Sequence, residues 1–465
     1  MSRGTFFFTS TALRSLELDK EELERNRHKA QLASHHLSTY MQRKESVNRT
    51  SWRTGFVQRP LLCQDVVIQN AIYTGNLEAL QRLFPRGSIA NVVIEPQGGD
   101  MRWVARGEGL WSLTYEQELT TPLHITASRG FADCLDLLLQ RGANVDLAPG
   151  GVTALHESCE NCQPECTKLL LAYGANPNAV SEDGIMPLHV CTSPESLECA
   201  KHLLQYGATI NGHSLDENDT PLHVAARHGL PHHVDLYLSY GTALDEQNDE
   251  GFTPLNSACS QPQELQDLER YYKVCQRLLE AGASLHIKDQ DKHTPLHMAC
   301  KNVNPDIVDL LLAKGACVND MDYGGEAPMH NVLKVVCYKA SHQPERIVRA
   351  LLNYGSIRVW PGALPKVLKH CSESPRTIEV LLNAYSHLKV TDTWLESVST
   401  EAFEKHKDFY ESVFSLAMKP RSLQHLARCR VRIFLEGRLH KVVPELDLPN
   451  FIKNYLLLDY RGYVH

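Results

Sequence analysis

A tetrapeptide that recurs along the middle of the chain constrains the fold more than any other feature of the sequence. It reads Thr-Pro-Leu-His or a close variant, and its copies begin at Thr121, Thr153, Met186, Thr220, Thr253, Thr294 and Ala327. Successive copies start 32, 33, 34, 33, 41 and 33 residues apart. Self-similarity at a period of about 33 residues predicts a repeat array, in which each unit buries its apolar face against its neighbours.

The residue types within each copy predict the local structure of one unit. Threonine can cap a helix N-terminus, and proline at the first helical position loses no hydrogen bond. Leucine then opens a buried face, and histidine can bridge the backbones of adjacent units. Leucine runs such as 137–139 follow, and a Gly-Ala pair such as Gly142-Ala143 indicates a left-handed helix end. Each unit should therefore form a helix, a tight turn, a second helix and a hairpin loop.

The motif and its period resemble the ankyrin repeat, whose signature is T-P-L-H-x-A at 33 residues. The resemblance implies an all-α solenoid with seven clear repeats from about 120 to 356. A weaker unit at 64–84 precedes them, and a degenerate unit with helices at 363–370 and 375–385 follows. Insertions at 88–119 and 261–270 interrupt the array, and loop insertions are common places for binding specificity.

The region after residue 390 carries no repeat but has its own helical patterns. Apolar residues within 403–418 predict one amphipathic helix. After Pro420, the residues Leu423, Ala427 and Val431 are spaced at i, i+4 and i+8, so they share one helical face. A second apolar motif, Leu-Asp-Leu-Pro followed by Phe-Ile and Tyr-Leu, occupies 446–456.

These two C-terminal motifs resemble a SOCS box. Its first part, the BC box, runs Ser/Thr-Leu-x3-Cys-x3-Leu/Val/Ile, and its second part, the cullin box, runs Leu-Pro-Leu-Pro-x2-hydrophobic-x2-Tyr-Leu. With ankyrin repeats in front, residues 60–465 are similar to the ankyrin repeat and SOCS box family. The chain departs from the pattern twice: Ala427 replaces the BC-box cysteine, and Asp447 replaces the first cullin-box proline.

The resemblance implies a non-enzymatic substrate receptor of a Cullin-5 RING E3 ubiquitin ligase. Its implied partners are Elongin B, Elongin C, Cullin-5 with a RING-box protein, and an unidentified protein substrate. The implied Elongin C contacts are Leu423, Leu426, Ala427 and Val431. The implied cullin contacts are Leu446, Leu448, Pro449 and Ile452. The alternative is a plain ankyrin scaffold whose divergent box no longer recruits a ligase, because Asp447 places a charge where an apolar contact is expected.

Acidic residues at the expected hairpin tips are candidates for substrate binding. They are Asp183, Asp249, Asp291 and Asp322, with the aromatic Tyr323 beside the last of them. One interpretation is an acidic row on the concave edge that holds a basic segment of a substrate. The other interpretation is that ankyrin hairpins select Asp and Gly for turn geometry whatever they bind. The sequence favours the second.

The same patterns predict four segments. Residues 1–56 form a polar, partly disordered arm, with a frayed helix at 16–43. Residues 57–390 form the ankyrin array, 391–419 form a linking helical segment, and 420–465 form the SOCS box. What the arm does is left open by the sequence.

Composition and motif content exclude several classes of protein. Apolar residues make up 43% of the chain and charged residues 22%, which is typical of a globular protein. No run of 18 apolar residues predicts a membrane span, and a net charge of −8 gives no electrostatic case for nucleic-acid binding. The 14 cysteines show no disulfide-scaffold spacing, so we expect a reduced intracellular protein of the cytoplasm or nucleus. The phosphate-loop, serine-hydrolase and zinc-protease motifs are absent from the sequence, and we expect no cofactor.

Two clusters invite other interpretations. His156, Cys159, Cys162 and Cys166 superficially offer four zinc ligands, but the repeat register places them on two helices, so we expect no metal site. The stretch Arg421–Lys441 is basic but lacks interleaved aromatic residues for stacking on bases. We expect its charges to form the solvated outer face of the box helix.

Overall fold

The computed structural model describes residues 66–84, 91–94, 101–105, 111–115, 120–416 and 421–459. The predicted N-terminal arm 1–56, with its helix at 16–43, lies outside the described residues. The chain divides into two compact units, Met1–Glu250 and Gly251–His465. The repeats are helical, as the sequence predicts. In the described part of the chain, no helix has the length and apolar character that a membrane crossing requires.

The first unit consists of helix pairs and one β-hairpin. Its described elements are α1 (Val66–Tyr73), α2 (Leu77–Leu83), β1 (Met101–Ala105), β2 (Trp111–Tyr115), α3 (Pro122–Arg129), α4 (Ala132–Gln140), α5 (Ala154–Glu160), α6 (Pro164–Ala172), α7 (Leu197–Gln205), α8 (Pro221–Arg227) and α9 (Pro231–Ser239). The pair α1 and α2 confirms the weak repeat predicted at 64–84. The two strands pair antiparallel within the insertion at 88–119.

The second unit continues the helix pairs and then changes pattern. Its described helices are α10 (Pro254–Ser260), α11 (Leu268–Ala281), α12 (Pro295–Asn302), α13 (Pro305–Ala313), α14 (Pro328–Val335), α15 (Pro344–Asn353), α16 (Leu364–Cys371), α17 (Pro375–Leu382), α18 (Asp392–Ser397), α19 (Thr400–Lys405), α20 (Lys407–Ser415), α21 (Leu423–Leu435), α22 (Leu439–Glu445) and α23 (Asn450–Leu456). The pair α16 and α17 lies where the degenerate repeat is predicted. A short 3-10 helix at Pro361–Ala363 leads into it.

The tetrapeptides form the helix starts that their residue types predict. Thr121 lies just before α3 in extended backbone, and its side chain accepts a hydrogen bond from the amide of His124. Pro122 occupies the first helical position, where its missing N–H would have no partner in any case. The helix ends at Gly130, whose φ of 75° is left-handed. Second helices bury their leucines, with Leu135 and Leu138 of α4 fully inaccessible.

The tetrapeptide histidines join each repeat to the next repeat. The imidazole Nε2 of His124 donates to the carbonyl of Val152 at 2.9 Å, and that of His156 donates to Ile185 at 3.0 Å. The Nδ1 atom of each ring lies 2.7–2.8 Å from the threonine hydroxyl at the N-cap of the same helix. One side chain therefore satisfies both a helix cap and the loop of the following repeat.

Two predicted elements differ from the structure. At Met186 the motif forms a turn instead of a first helix. The missing N-cap oxygen does not explain this alone, because Ala327 also lacks one and still precedes α14. The single helix predicted over 403–418 is wrong: the chain breaks at His406, where φ is −127°, and forms α19 and α20. The insertion near residue 265 leads into α11, a second helix of 14 residues.

Candidate functional site

Helix α21 has two opposite faces, and the polar one is buried. The inaccessible residues are His425, Arg428, Cys429 and Arg432, which face the end of the repeat array. Ser422 caps the helix N-terminus by accepting a hydrogen bond from the amide of His425. The predicted start of the helix just after Pro420 is therefore confirmed.

Three side chains near the start of α21 hydrogen-bond to the C-terminal end of α17. Arg421 donates to the carbonyl of Leu382 at 3.0 Å, His425 to that of Tyr385 at 2.8 Å, and Arg428 to that of Asn383 at 3.2 Å. The last carbonyls of a helix have no partner within the helix and carry partial negative charge. Arg421 and Arg428 therefore stabilise this end both by hydrogen bonding and by the interaction of their charges with the helix dipole. His425 donates as a neutral imidazole, because its Nδ1 accepts from Arg428.

Arg432 makes the equivalent connection to α15. Its Nη1 donates to the side-chain oxygen of Asn353 and to the carbonyl of Leu456, both at 2.7 Å, and its Nη2 donates to the carbonyl of Leu352 at 3.3 Å. Burial lowers the pKa of Arg432 to about 10, so the guanidinium stays charged at neutral pH. Arg432 thus joins the box helix, the last helix of the box and a repeat helix.

These contacts overturn one prediction from the sequence. The basic residues of Arg421–Lys441 do not all form a solvated outer face, because Arg428 and Arg432 are buried and Arg421 is half-buried. Burial also lowers the pKa of Arg421 to about 10. The pattern of charges alone could not predict this, since arginine at a helix surface is normally solvated.

The outer face of α21 is mostly apolar, with the exposed Arg430 at its edge. Leu423 is 85% exposed and Phe434 79% exposed, and Ala427 and Val431 lie exposed between them. Leu426 is half-buried at the edge of this face. Phe434 was not among the predicted contacts, although its spacing from Val431 and Ala427, three and seven residues, places it on the same face. We call Leu423, Ala427, Val431 and Phe434 the outer face of α21.

The second box motif contributes both core and surface. Leu439, Val443 and Leu456 form a small core, and Leu448 and Ile452 pack against it. Of the predicted cullin contacts, Leu446 and Pro449 are exposed, whereas Leu448 and Ile452 are half-buried. Asp447 is exposed. Phe451 on α23 is 69% exposed and was missed, since the family pattern does not specify that position.

The candidate substrate residues lie at the hairpin tips as predicted, but they differ in accessibility. Asp183 in the first unit is exposed, whereas Asp249, Asp291 and Tyr323 are half-buried. The ammonium of Lys292 lies 4.2 Å from the centre of the Tyr323 ring.

Asp322 serves its own turn. One carboxylate oxygen accepts from the amide of Glu326 at 2.8 Å, and the other lies 3.6 Å from Nε2 of His293. The interpretation of these acids as turn residues is therefore supported at Asp322.

The four candidate zinc ligands do not converge. His156 bonds Thr153 and Ile185, Cys162 lies 3.0 Å from the hydroxyl of Ser193, and Cys159 and Cys166 are buried thiols whose pKa values burial raises. Among the residues that the structure describes, no three His, Cys, Asp or Glu side chains are placed to hold a metal ion.

Comparison with known proteins agrees with this architecture. Ankyrin repeats match at residues 68–181, 188–268 and 267–360, and the SOCS box matches at 419–457. Ankyrin repeat and SOCS box protein 16 of Homo sapiens is 40% identical over 465 residues, which is 99% of each chain. This chain belongs to the ankyrin repeat and SOCS box family. The mouse protein of the same name has the same identity and coverage.

Other members are similar over a shorter span. The sequences at 111–130, 321–325 and 359–368 predict a particular likeness to the tenth member, and human Ankyrin repeat and SOCS box protein 10 is 49% identical over 79% of each chain. That likeness covers less of this chain than the likeness to protein 16. A solved structure, the human ASB11 ankyrin repeat domain, is 29% identical, with a TM-score of 0.43, and covers 50% of this chain and 97% of its own.

Proposed function

We propose that this chain is the substrate receptor of a Cullin-5 RING E3 ubiquitin ligase, with its SOCS box binding Elongin B/C and its repeats binding the target. The observation that carries the proposal is the outer face of α21. A helix that buries Arg428 and Arg432 and exposes Leu423 and Phe434 is unfavourable in isolation, because apolar surface in water costs free energy. Such a contiguous apolar surface is typical of a binding site for another protein.

Leu423 is the best anchor for Elongin C. Burying a leucine of this exposure contributes about 1.5–3 kcal/mol, and Ala427 and Val431 extend the contact along the same face. Phe434 adds a large aromatic side chain, the residue class in which interface energy concentrates. We add Phe434 to the proposed Elongin C contacts and keep Leu426 at the edge of the contact.

The cullin contacts are proposed on the neighbouring surface. Leu446 and Pro449 are exposed and available to a partner, and Phe451 lies beside them. Leu448 and Ile452 pack against the box core, so their proposed role is to position this segment and to contribute their accessible edges. Cullin-5 with its RING-box protein would then bring the ubiquitin-loaded enzyme near the target.

The chain itself makes and breaks no bond in this scheme. Holding a target lysine near the ubiquitin thioester raises the effective concentration of the reacting groups. The hydrogen bonds of Arg421, Arg428 and Arg432 fix the box on helices α15 and α17. This connection would transmit the position of the ligase to the repeats of the second unit. Action in the cytoplasm or nucleus is part of the same proposal.

The competing proposal is an ankyrin scaffold that recruits no ligase. Its basis is the pair of departures at Ala427 and Asp447. Replacing a cysteine side chain by alanine removes little volume, and we expect a loss on the order of 1 kcal/mol at the Elongin contact. A charge at Asp447 is the more serious obstacle, since desolvating a carboxylate without a partner is costly.

The test is co-purification of Elongin B/C with two variants of the full chain. Leu423→Asp should abolish association with Elongin B/C while leaving the helical content unchanged, because Leu423 is exposed in the free chain. Gln424→Asp is the matched control, one residue away and also exposed, and it should bind as the wild type does. Retained association in Leu423→Asp would show that the outer face of α21 is not the Elongin site.

A further inference from the structure

A cleft of about 820 Å³ in the second unit lies beside the flank of α21 and is separate from its outer face. Its walls are the loop 355–361, the segment 384–387 after α17, and one side of α21 from Cys429 to Glu436. Ile433 of the cleft follows Arg432 and precedes Phe434 of the outer face. At 3.6 residues per turn, Ile433 and Phe434 point about 100° apart, so a protein on the outer face leaves the cleft open.

Large apolar side chains stand exposed at this cleft. Trp360 is 74% exposed, Ile357 54% and Ile433 50%. The indole of Trp360 lies over Gly362, where any β-carbon would collide with the ring. The indole can therefore occupy this position only because residue 362 is glycine. An ordered, exposed tryptophan with two isoleucines near it is the composition expected of a binding hot spot.

The residues that line the cleft carry a net positive charge, although the whole chain is acidic. Arg358 is exposed, its Nη1 donates to the carbonyl of Ala384 at 2.9 Å, and its guanidinium lies 5.6 Å from the centre of the Tyr385 ring. Arg432 contributes a second positive charge, but its buried guanidinium already donates three hydrogen bonds within the chain. Glu436 contributes one negative charge. With histidine neutral, two arginines and one glutamate give the lining a formal charge of +1, whereas the whole chain carries −8.

We propose that this cleft binds an extended acidic segment of the target protein that also carries an aromatic or aliphatic side chain. A carboxylate of the segment would bind the guanidinium of Arg358, which can offer two parallel N–H donors. The apolar side chain would pack on Trp360 and Ile433. That the segment belongs to a ligase target rests on the proposed function. Binding of an acidic segment to the cleft does not depend on that function.

The occupant follows from charge complementarity. A basic segment would face the exposed charge of Arg358 and find only Glu436 as a partner. A purely apolar segment would leave the exposed guanidinium of Arg358 partly desolvated and without a carboxylate, which is costly. An acidic and apolar segment satisfies both features of the cleft at once. The cleft also lies next to the box, so its occupant would be held beside the ligase attachment.

The experiment pans a phage-displayed library of random twelve-residue peptides against the full chain. Enriched peptides are synthesised with a fluorescent label, and binding is measured by fluorescence polarisation. We expect enriched peptides to combine Asp or Glu with an aromatic or aliphatic residue. Arg358→Glu and Trp360→Ala should each weaken binding at least tenfold. Lys369→Glu, the same charge change at an exposed position of α16 outside the cleft, should not alter binding.

Three results would overturn the proposal. They are enrichment of basic peptides, no enrichment, and binding that Arg358→Glu and Trp360→Ala leave unchanged. Light scattering tests a fourth result that would overturn it. If the wild type is a dimer and Trp360→Ala is a monomer, the occupant of the cleft is a second copy of the chain. Elongin co-purification is measured on the same proteins. A wild-type chain that binds the peptide but not Elongin B/C would refute the ligase proposal alone. A wild-type chain that binds Elongin B/C but no peptide would refute the cleft proposal alone.

Discussion

Arg432 on α21 donates to the side-chain oxygen of Asn353 at 2.7 Å, and this bond ties the C-terminal box to the last residue of repeat helix α15. Asn353 in turn donates to the carbonyl of Leu457, two residues before the described chain ends. Both side chains are buried. The box is therefore attached through satisfied polar contacts, and its apolar residues remain available on the opposite side of the helix.

The first prediction concerns this attachment. Arg432→Met should lower the free energy of unfolding by about 3 kcal/mol, because the Asn353 oxygen and two carbonyls lose their charged donor in a buried place. Arg430→Met, at an exposed position of the same helix, should change it by less than about 0.5 kcal/mol. Urea unfolding followed by circular dichroism measures both. Equal stability of the two variants would show that Arg432 does not hold the box in place.

The second prediction concerns the one tetrapeptide that ends in asparagine. Asn256 is buried, and its side-chain nitrogen and oxygen have no hydrogen-bond partner, because the shorter side chain does not reach the next loop as histidine does. Asn256→His should raise the free energy of unfolding by about 1–2 kcal/mol. The reciprocal change His297→Asn, which removes a 3.2 Å bond to the carbonyl of Glu326, should lower it by a similar amount. A destabilised Asn256→His would refute this explanation.

The third prediction concerns pH. Burial lowers the pKa of His124 to about 4 and lowers the pKa values of His156 and His297 as well. Below about pH 6.5 the unfolded chain binds more protons at these residues than the folded chain does, so the free energy of unfolding falls as the pH falls. For His124 this fall continues toward pH 4. The loss approaches about 1.4 kcal/mol per pH unit for each histidine.

His293 should act in the opposite direction. Its hydrogen bond to Asp289 raises its pKa, so its contribution is fully present below pH 6.5 and is lost as the pH rises through the folded pKa. Urea midpoints at pH 7.0 and 5.0 measure both effects. His124→Gln should reduce the loss of stability at pH 5.0, and His293→Gln should increase it. Identical pH profiles for the three proteins would contradict the assignment of these shifts.

The fourth prediction addresses the cullin contact. Asp447→Asn keeps the shape of the side chain and removes the charge, so it should tighten Cullin-5 binding several-fold, equivalent to about 1 kcal/mol. Glu445→Gln removes a charge from an exposed residue two positions earlier and should have little effect. Titration of the Elongin-bound chain with Cullin-5 gives both affinities. If Asp447→Asn binds no tighter than the wild type, the aspartate does not weaken this contact.

The repeat helices could be predicted from the sequence because each copy carries its own local signals. Thr121, Pro122 and Gly130 specify where α3 begins and ends, and the period of the motif then places the other units. The turn at Met186 shows the limit of that reasoning, because Met186 and Ala327 both lack the threonine hydroxyl and only Ala327 is followed by a helix. The shared face of Leu423, Ala427 and Val431 was equally predictable from helical spacing.

The orientation of α21 could not be predicted in the same way. A helix with Arg428 and Arg432 on one side and Leu423 on the other is expected to bury the leucine. Here the buried side is decided by tertiary partners, the open carbonyls at the ends of α15 and α17, which lie 39 to 80 residues earlier in the chain. The cleft beside Trp360 has the same origin, because its walls come from three separate segments of sequence.

Co-expression of the full chain with Elongin B and Elongin C tests most directly whether the outer face of α21 recruits a ligase. Size-exclusion chromatography with light scattering then gives the mass of the product, and Cullin-5 is added to it. We expect a stable complex of the three proteins that takes up Cullin-5, and we expect Leu423→Asp to form no such complex. A chain that elutes without Elongins, or a complex that survives Leu423→Asp, would contradict the claim that the outer face of α21 recruits a ligase.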